Sequence, residues 1–286
     1  MKSRVLKSEA LLLLVSVIWG FAFVAQRAGM EFVGPFTYNA IRFTLGSLVL
    51  YPFARRTGPG SRETLWLGGV LAGGVLFCGS SLQQIGIVYT TAGKAGFITG
   101  LYVVLVPLIG WIRAHRISPA TWSGAVLAVI GLYLLCVDET LNINPGDLLV
   151  LLGAFFWALH VHIISWLTRR IAAGRLAFTQ FAACALFSSL TALLSEQSSA
   201  GAIMDAAIPI LYGGLFSIGI GYTLQVIGQR HVPPAHAAII LSLEAAFAVL
   251  GGWLLLDETL TGRGLAGCLL MLSGMILSQL DFRNRH

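Results

Sequence analysis

Charged residues are scarce in this sequence. Only 18 lysines and arginines and 12 aspartates and glutamates occur among 286 residues, which is 10% of the chain. A soluble domain carries about 25% charged residues, so this chain has too little charge to cover a water-exposed surface. Hydrophobic residues make up 57% of it, and the mean hydropathy is +0.83. The composition therefore excludes an ordinary soluble protein and indicates an integral membrane protein.

Several chemical motifs are also missing. The four cysteines all fall in apolar runs without CxxC or CxH spacing, so we expect small buried side chains rather than disulfides or metal ligands. No glycine-rich nucleotide loop stands between a strand and a helix, which argues against ATP-driven transport by this chain alone. We expect no cofactor and no bound metal. The basic and apolar N-terminus lacks a small-residue cleavage site, and we expect it to be a retained first span.

Long apolar runs dominate instead. Runs such as 10–25 and 148–158 lack the alternation of a membrane β-strand. Because a bilayer requires backbone groups to be satisfied within the segment, such runs should be α-helices. We predict an all-α membrane protein of ten transmembrane helices with short connections. Hydropathy and breaks at Gly, Pro and Asn place these spans at about 9–27, 35–54, 65–89, 92–112, 118–136, 146–168, 175–194, 207–229, 234–256 and 262–280.

Basic residues are distributed unevenly between the two sides of these spans. With the N-terminus inside, 14 of the 18 lysines and arginines lie in inner segments, and only Arg27, Lys94 and Arg263 lie in outer ones. Because basic residues concentrate in cytoplasmic segments, we predict a multi-pass plasma (inner) membrane protein with both termini in the cytoplasm. The same asymmetry accounts for the net charge of +6 without nucleic-acid binding. Asp257 and Glu258 fall in an outer loop, where we expect them to be solvated.

The two halves of the chain resemble each other. Leu82–Gly86 reads LQQIG in span 3, and Leu224–Gly228 reads LQVIG in span 8, an offset of 142 residues. Each half carries five spans, and since five is odd, the second half enters the membrane from the opposite side. We therefore predict an inverted 5+5 repeat, residues 1–140 and 141–286, around a central cavity. Such repeats are typical of secondary transporters with a site near the midplane.

Polar and aromatic residues within the spans are few and share helix faces. Tyr222 and Gln225 are three residues apart in span 8, as are Trp157 and His160 in span 6. Glu244 stands inside the apolar run of span 9, where a charge is costly and points to function. A stripe in span 1 includes Trp19 and Gln26. We predict that these faces converge on a substrate cavity lined by Trp19, Gln83, Tyr102, Trp157, His160, Tyr222, Gln225 and Glu244.

Structural roles compete with this interpretation at several positions. Gln83 and Gln225 could simply bond neighbouring helices. Trp19 and Trp157 occupy matched positions in the two halves, and they could serve packing. An aromatic wall would also suit an amphipathic solute or a cation, and the sequence leaves both interpretations open.

The ionisable residues leave alternatives open as well. Arg42 in span 2 and Lys94 in span 4 are candidate charge partners, and for Arg42 a structural partner is favoured over the solute. Glu244 could bind a substrate ammonium, carry a proton or pair with a buried cation. His160 could exchange protons near neutral pH. His162, two residues away, faces a different direction, so we expect no joint metal site.

Short motifs resemble a known family. Leu241–Glu244, then DETLT at Asp257–Thr261, Gly267 and Gly274 resemble the EamA domain of the drug/metabolite transporter superfamily, and so does SVIWGFAFV at Ser16–Val24. The resemblance covers nearly the whole chain as two tandem copies. It implies ten helices, an inverted repeat and a cavity lined mainly by spans 1, 3, 4, 6, 8 and 9. It also implies metabolite export, with amino-acid exporters of the superfamily as functional analogues.

These observations favour a secondary transporter over an enzyme. We expect export or facilitated passage of small metabolites, foremost amino acids, by alternating access. The alternative is a proton-coupled exporter of lipophilic cations. It is disfavoured because only one acid lies clearly within the apolar spans. An intramembrane enzyme ranks lower, because no nucleophile–base or metal constellation is visible. The expected partners are a small-molecule solute and the lipid bilayer, with no nucleic acid and no obligate protein partner.

Overall fold

The described part of the chain is built from helices and short connections. The computed structural model describes residues 2–55, 62–111, 119–136, 143–228, 240–241 and 243–280. Its helices are α1 (Lys2–Gly29), α2 (Pro35–Ala54), α3 (Arg62–Tyr89), α4 (Ala92–Gly100), α5 (Tyr102–Trp111), α6 (Pro119–Cys136), α7 (Pro145–Leu167), α8 (Ala173–Ser195), α9 (Ala200–Asp205), α10 (Ala207–Leu211), a π-helical segment (Tyr212–Gly221), α11 (Tyr222–Gly228), α12 (Glu244–Leu256) and α13 (Gly262–Leu280).

Six helical stretches are long and apolar enough to cross a bilayer, which requires about 20 residues. They are Val5–Gly29, Glu63–Tyr89, Ala92–Gly110, Pro145–Ile164, Ala173–Ser195 and Ala207–Gln225. Three shorter apolar helices lie at Trp122–Cys136, Glu244–Leu256 and Gly262–Leu277. The prediction of a helical membrane protein is therefore confirmed. The count of ten spans stays a prediction, although helix occurs within each of the ten predicted ranges.

Two helices that the sequence predicts as regular contain a tight turn at matched positions. A turn at Leu101 separates α4 from α5, and a turn at Leu243 immediately precedes α12, 142 residues later. At each turn the leucine N–H donates to the carbonyl three residues earlier, that of Ile98 or Ile240, at 3.2 Å. Such bonds are those of a 3₁₀ turn, which often marks a hinge inside a helix.

Span 8 is not the single regular helix that the sequence predicts. Its middle, Tyr212–Gly221, is π-helical, a conformation that is rare and frequent at functional sites. Glycines allow this segment to press against α2. A Cβ added at Gly214 would lie 2.7 Å from Leu45 Cβ, and one added at Gly213 would lie 2.9 Å from Tyr38 Oη. The bulge therefore occurs where α2 and the π-helical backbone approach most closely.

The core lies between α1, α4 and α12, with α6 and α13 packed beside it. Its buried members include Phe23, Phe97, Ile98, Ala248 and Met275. Around it, α2 packs on α8, and α3 packs on α7 and α8. Small residues line these interfaces, as is usual between membrane helices.

Two carboxylates bind the first backbone N–H groups of other helices. Glu196 accepts hydrogen bonds from Phe36 N at 2.9 Å and Thr37 N at 2.8 Å, at the start of α2. Glu258 accepts from Ala92 N at 2.7 Å and Gly93 N at 3.1 Å, at the start of α4. The expectation that Glu258 is simply solvated is therefore wrong. Helix N-termini leave N–H groups unpaired and favour negative charge, and the turn after α12 brings Glu258 to the start of α4.

Candidate functional site

Glu244 is the first residue of α12, directly after the turn at Leu243. Its side chain is only 5% exposed. The phenols of Tyr102 and Tyr222 lie within electrostatic range of its carboxylate. Among the described residues, none forms an ion pair with Glu244 or donates a hydrogen bond to its carboxylate. Two of the predicted cavity residues, Tyr102 and Tyr222, thus lie near a third, the buried acid Glu244.

Aromatic contacts near Glu244 join the two halves of the chain. The ring centroids of Trp19 and Tyr222 are 5.4 Å apart, and those of Tyr222 and Phe181 are 5.0 Å apart. Trp19 Nε1 donates to the carbonyl of Ser217 in the π-helical segment at 3.1 Å. Phe181 is absent from the sequence-based set because a phenylalanine in an apolar span carries no distinguishing signal. Gln225 is half-buried on α11, one turn beyond Tyr222.

Gln83 is the centre of a buried hydrogen-bond network that joins four helices. Its Nε2 donates to Gln26 Oε1 on α1 at 2.8 Å. Its Oε1 accepts from Trp157 Nε1 on α7 at 2.9 Å and from Thr99 Oγ1 on α4 at 3.4 Å. The structure therefore brings Gln83 and Trp157 together, and Gln83 bonds neighbouring helices in this conformation. Thr99 was missed by sequence reasoning, since a single threonine in a span gives no periodic signal.

His160 and Arg42 have partners away from Glu244. His160 Nε2 lies 2.8 Å from Gln180 Oε1 on α8, and its ring meets Trp157 edge-on at 6.0 Å. Arg42 is 4% exposed and donates from Nε to Asn39 Oδ1 at 2.9 Å. Its guanidinium carbon also lies 4.9 Å from the centre of the Phe43 ring. Within the described residues Arg42 is thus stabilised by an amide and aromatic rings rather than by a carboxylate.

Lys94 lies at the end of the bundle where α4 and α7 begin. Its Nζ is 3.5 Å from Asp147 Oδ2, and Asp147 Oδ1 accepts from Thr90 Oγ1 at 2.5 Å. The Asp147 side chain is buried. The partner of Lys94 in this structure is therefore the acid in the first turn of α7.

Two pockets open at this same end of the bundle. The larger has a volume of about 320 Å³, and the smaller has about 180 Å³. Lys94 lines the larger pocket, whereas none of the eight predicted cavity residues lines either one. Those eight lie deeper in the bundle, and their role as cavity lining stays a prediction.

Comparison with known proteins places the chain among transporters. The model of the EamA-like transporter family matches residues 6–137 and again residues 144–280. An uncharacterized transporter of Archaeoglobus fulgidus is 32% identical over 94% of this chain and 84% of its own length. A probable amino-acid metabolite efflux pump of Salmonella typhimurium is 26% identical over 98% of this chain and 97% of its own length.

A solved crystal structure shares the fold. It superposes with a TM-score of 0.67 at 20% identity, over 97% of this chain and 98% of the other. The family match covers both halves of the sequence, as the resemblance of the short motifs implies. The chain therefore belongs to the EamA-like transporter family and carries two tandem EamA-like regions.

Proposed function

We propose that this protein is a secondary transporter that exports small metabolites, or facilitates their passage, across the plasma membrane by alternating access. Amino acids are the foremost substrate class. The similarity to a protein described as a probable amino-acid metabolite efflux pump supports that class. The predicted orientation, with both termini in the cytoplasm, is part of the proposal.

The observation that carries this proposal is the pair of 3₁₀ turns at Leu101 and Leu243. Each turn is followed at once by one of the predicted cavity residues, Tyr102 or Glu244. A 3₁₀ turn within a helix often marks a functional hinge, and transporters form their sites where membrane helices depart from regular α-helical geometry. Tyr222 lies within electrostatic range of Glu244, and Trp19 packs on Tyr222. A polar, aromatic-lined site between the halves is consistent with this arrangement.

A ten-helix inverted repeat, with halves 1–140 and 141–286, is part of the same proposal. In the sequence, Gly124 is matched with Gly267 and Gly131 with Gly274. A Cβ at Gly131 would lie 2.6 Å from Gly267 O, and one at Gly274 would lie 2.5 Å from Gly124 O. When each glycine is replaced by its match in the other half, the contact of Gly131 with Gly267 becomes the contact of Gly274 with Gly124. A two-fold relation between the halves would produce this pattern.

The cavity residues take distinct roles in the proposed cycle. Glu244 binds the ammonium group of the solute, since a buried carboxylate without an ion-pair partner in the described residues gains most from a cation. Trp19, Tyr102 and Trp157 form the walls. Gln83, Gln225 and His160 hydrogen-bond the solute. The bonds of Gln83 to Gln26 and Trp157 would have to open as the solute passes.

Counterflow of radiolabelled amino acids into proteoliposomes tests this function. Wild-type protein should exchange at least one amino acid of a labelled panel, and Glu244→Gln should reduce that exchange by about tenfold or more, because the ammonium loses its counter-charge. Glu63→Gln serves as a matched control, since Glu63 is an exposed acid that lines neither pocket and is not one of the predicted cavity residues. The absence of exchange of every amino acid by folded wild-type protein would refute the proposal.

A second candidate is proton-coupled export of lipophilic cations. The same buried carboxylate of Glu244, which has no ion-pair partner among the described residues, favours it, because such a group can bind a proton and a cation in turn. In that case cells expressing the protein resist lipophilic cations, Glu244→Gln abolishes the resistance, and transport stops when the pH gradient is dissipated. Cation transport that persists without a pH gradient would exclude this mechanism.

A further inference from the structure

The larger pocket is a cavity with charges of both signs in its wall. It opens where α1, α3 and α12 end and where α4 and α7 begin. Its volume of about 320 Å³ is at the lower end of the range of small-molecule sites, about 300–1,000 Å³. The lining residues that matter here are Arg27, Glu31, Tyr89, Lys94, Leu256 and Glu258.

Some of these charged side chains already bind other parts of the protein. Both carboxylate oxygens of Glu258 accept from the first N–H groups of α4. Lys94 reaches Asp147 only at 3.5 Å, and its side chain is 28% exposed toward the pocket end. Arg27 and Glu31 form neither an ion pair nor a side-chain hydrogen bond with any described residue. The pocket thus offers a guanidinium, an ammonium 3.5 Å from its partner, and a carboxylate without a partner among the described residues.

This set of charges matches an α-amino acid. A guanidinium binds a carboxylate through two parallel hydrogen bonds, and an ammonium reinforces it. A carboxylate binds the amino group of the same ligand. Tyr89 and Leu256 add an apolar wall for a side chain. A purely anionic ligand fits less well, because Glu31 and Glu258 would repel it.

The pocket is lined by the ends of α1 and α3, the two helices that carry Gln26 and Gln83 of the buried network. Gln26, which bonds Gln83, is the neighbour of Arg27 in α1. Gln84 is fully buried one helical turn below Val88, a lining residue, and its Oε1 has no hydrogen-bond partner among the described residues. Buried polar side chains therefore lie on α1 and α3 within about two helical turns of the pocket lining.

We propose that this pocket is a second binding site for zwitterionic α-amino acids, at the external mouth, in which Arg27 and Lys94 bind the carboxylate and Glu31 binds the ammonium. The inference rests on the proposed function, since it assigns the pocket to the same transport path. The site holds the solute after it has passed the Gln83 network and before it leaves the protein. It also lets external amino acid compete with export.

Equilibrium binding to purified protein in phosphatidylcholine nanodiscs tests the site directly. The probes are labelled threonine, leucine and phenylalanine, which represent polar, aliphatic and aromatic side chains. Wild type should bind two molecules of at least one probe per chain, and Arg27→Gln should bind one, with the weaker site lost. Arg27→Gln is the deciding variant because no described residue depends on its charge, whereas Lys94→Gln leaves buried Asp147 without its cation. Arg263→Gln is the matched control, because Arg263 stacks on Tyr133 outside the pocket.

The outcomes distinguish failure of the proposed site from failure of the proposed transport function. One molecule per chain in wild type, unchanged in Arg27→Gln, overturns the external site and leaves transport possible. Loss of one bound molecule in Arg27→Gln, together with no counterflow in wild type, supports the site and refutes the transport proposal. Absence of binding by all three probes overturns the site. The same binding is also measured in nanodiscs in which phosphatidylethanolamine replaces phosphatidylcholine. If the second amino-acid molecule no longer binds there, the pocket binds a lipid headgroup and the inference is overturned.

Discussion

Replacing Glu196 with alanine should destabilise the protein by removing the carboxylate at the start of α2. Glu196 accepts three hydrogen bonds, from Phe36 N at 2.9 Å, Thr37 N at 2.8 Å and Thr37 Oγ1 at 2.7 Å. Hydrogen bonds to a charged group contribute about 1.5–3 kcal/mol each, but measured losses of helix caps are about 0.5–2 kcal/mol. Glu196 is half-exposed, so solvent screening reduces the charged contribution. We therefore expect a loss of about 2–3 kcal/mol in the free energy of unfolding.

Thermal unfolding of detergent-solubilised protein measures this loss. For a chain of this size, 1 kcal/mol corresponds to a Tm change of about 2–4 °C, so Glu196→Ala should lower Tm by roughly 4–12 °C. Glu196→Gln keeps one acceptor oxygen, so its Tm should lie between those of the wild type and Glu196→Ala. Glu31→Ala is the control, because Glu31 is exposed at the same end of the bundle and has no bonded partner among the described residues.

Gly34 provides an independent check on the same contact. A Cβ at Gly34 would collide with the carboxylate of Glu196, so Gly34→Ala should displace the cap and destabilise the wild-type background. In the Glu196→Ala background the added methyl group meets no carboxylate, and the second substitution should cost little. Two variants in contact are expected to be non-additive in this way. Additive losses, or a Tm of Glu196→Ala within 1 °C of the Glu31→Ala control, would refute the reasoning.

Three further predictions concern the packing, the polar network and the orientation. Gly274→Leu should separate α6 from α13 and lower Tm by several degrees, because even a Cβ would lie 2.5 Å from Gly124 O. The control Gly262→Ala should leave Tm unchanged, because a Cβ there meets no atom within 4 Å. Gln83→Leu should leave Gln26 Oε1 and Trp157 Nε1 without partners and destabilise by about 2–4 kcal/mol, with a shift in tryptophan fluorescence; an unchanged Tm would mean that water replaces the glutamine. A fluorescent protein fused to the C-terminus should fluoresce and a periplasmic phosphatase fused there should stay inactive, since both termini are predicted to be cytoplasmic; the reverse pattern would overturn the orientation.

Helix positions were the most predictable part of the fold. Span 2 was predicted at residues 35–54, and α2 is Pro35–Ala54. Span 7 was predicted at 175–194, and α8 is Ala173–Ser195. Apolar composition and Gly or Pro breaks are local properties of the chain, and in a bilayer they decide where a helix can begin and end. The same local signals identified Glu244, because an acid in an apolar run stands out wherever it is placed.

Local sequence signals did not predict the turns at Leu101 and Leu243 or the π-helical segment. The residues around Leu101 are as apolar as those of an uninterrupted helix. The backbone hydrogen bonds at these turns are local, but neither Leu101 nor Leu243 is itself a glycine or proline that would signal a departure from regular helix. The repeat aligns the two leucines, but alignment alone does not indicate a turn.

The sequence by itself determined that the chain is a helical membrane protein of the EamA family, with a few costly polar residues in its helices. Only the tertiary structure decided which of these residues meet. Gln83 bonds Gln26 and Trp157, Glu258 accepts hydrogen bonds at the start of α4, and Lys94 contacts Asp147 and lines a pocket at the end of the bundle. The physical reason is that burial cost is a property of one residue and its helix, whereas a hydrogen-bond partner depends on which helix faces pack together.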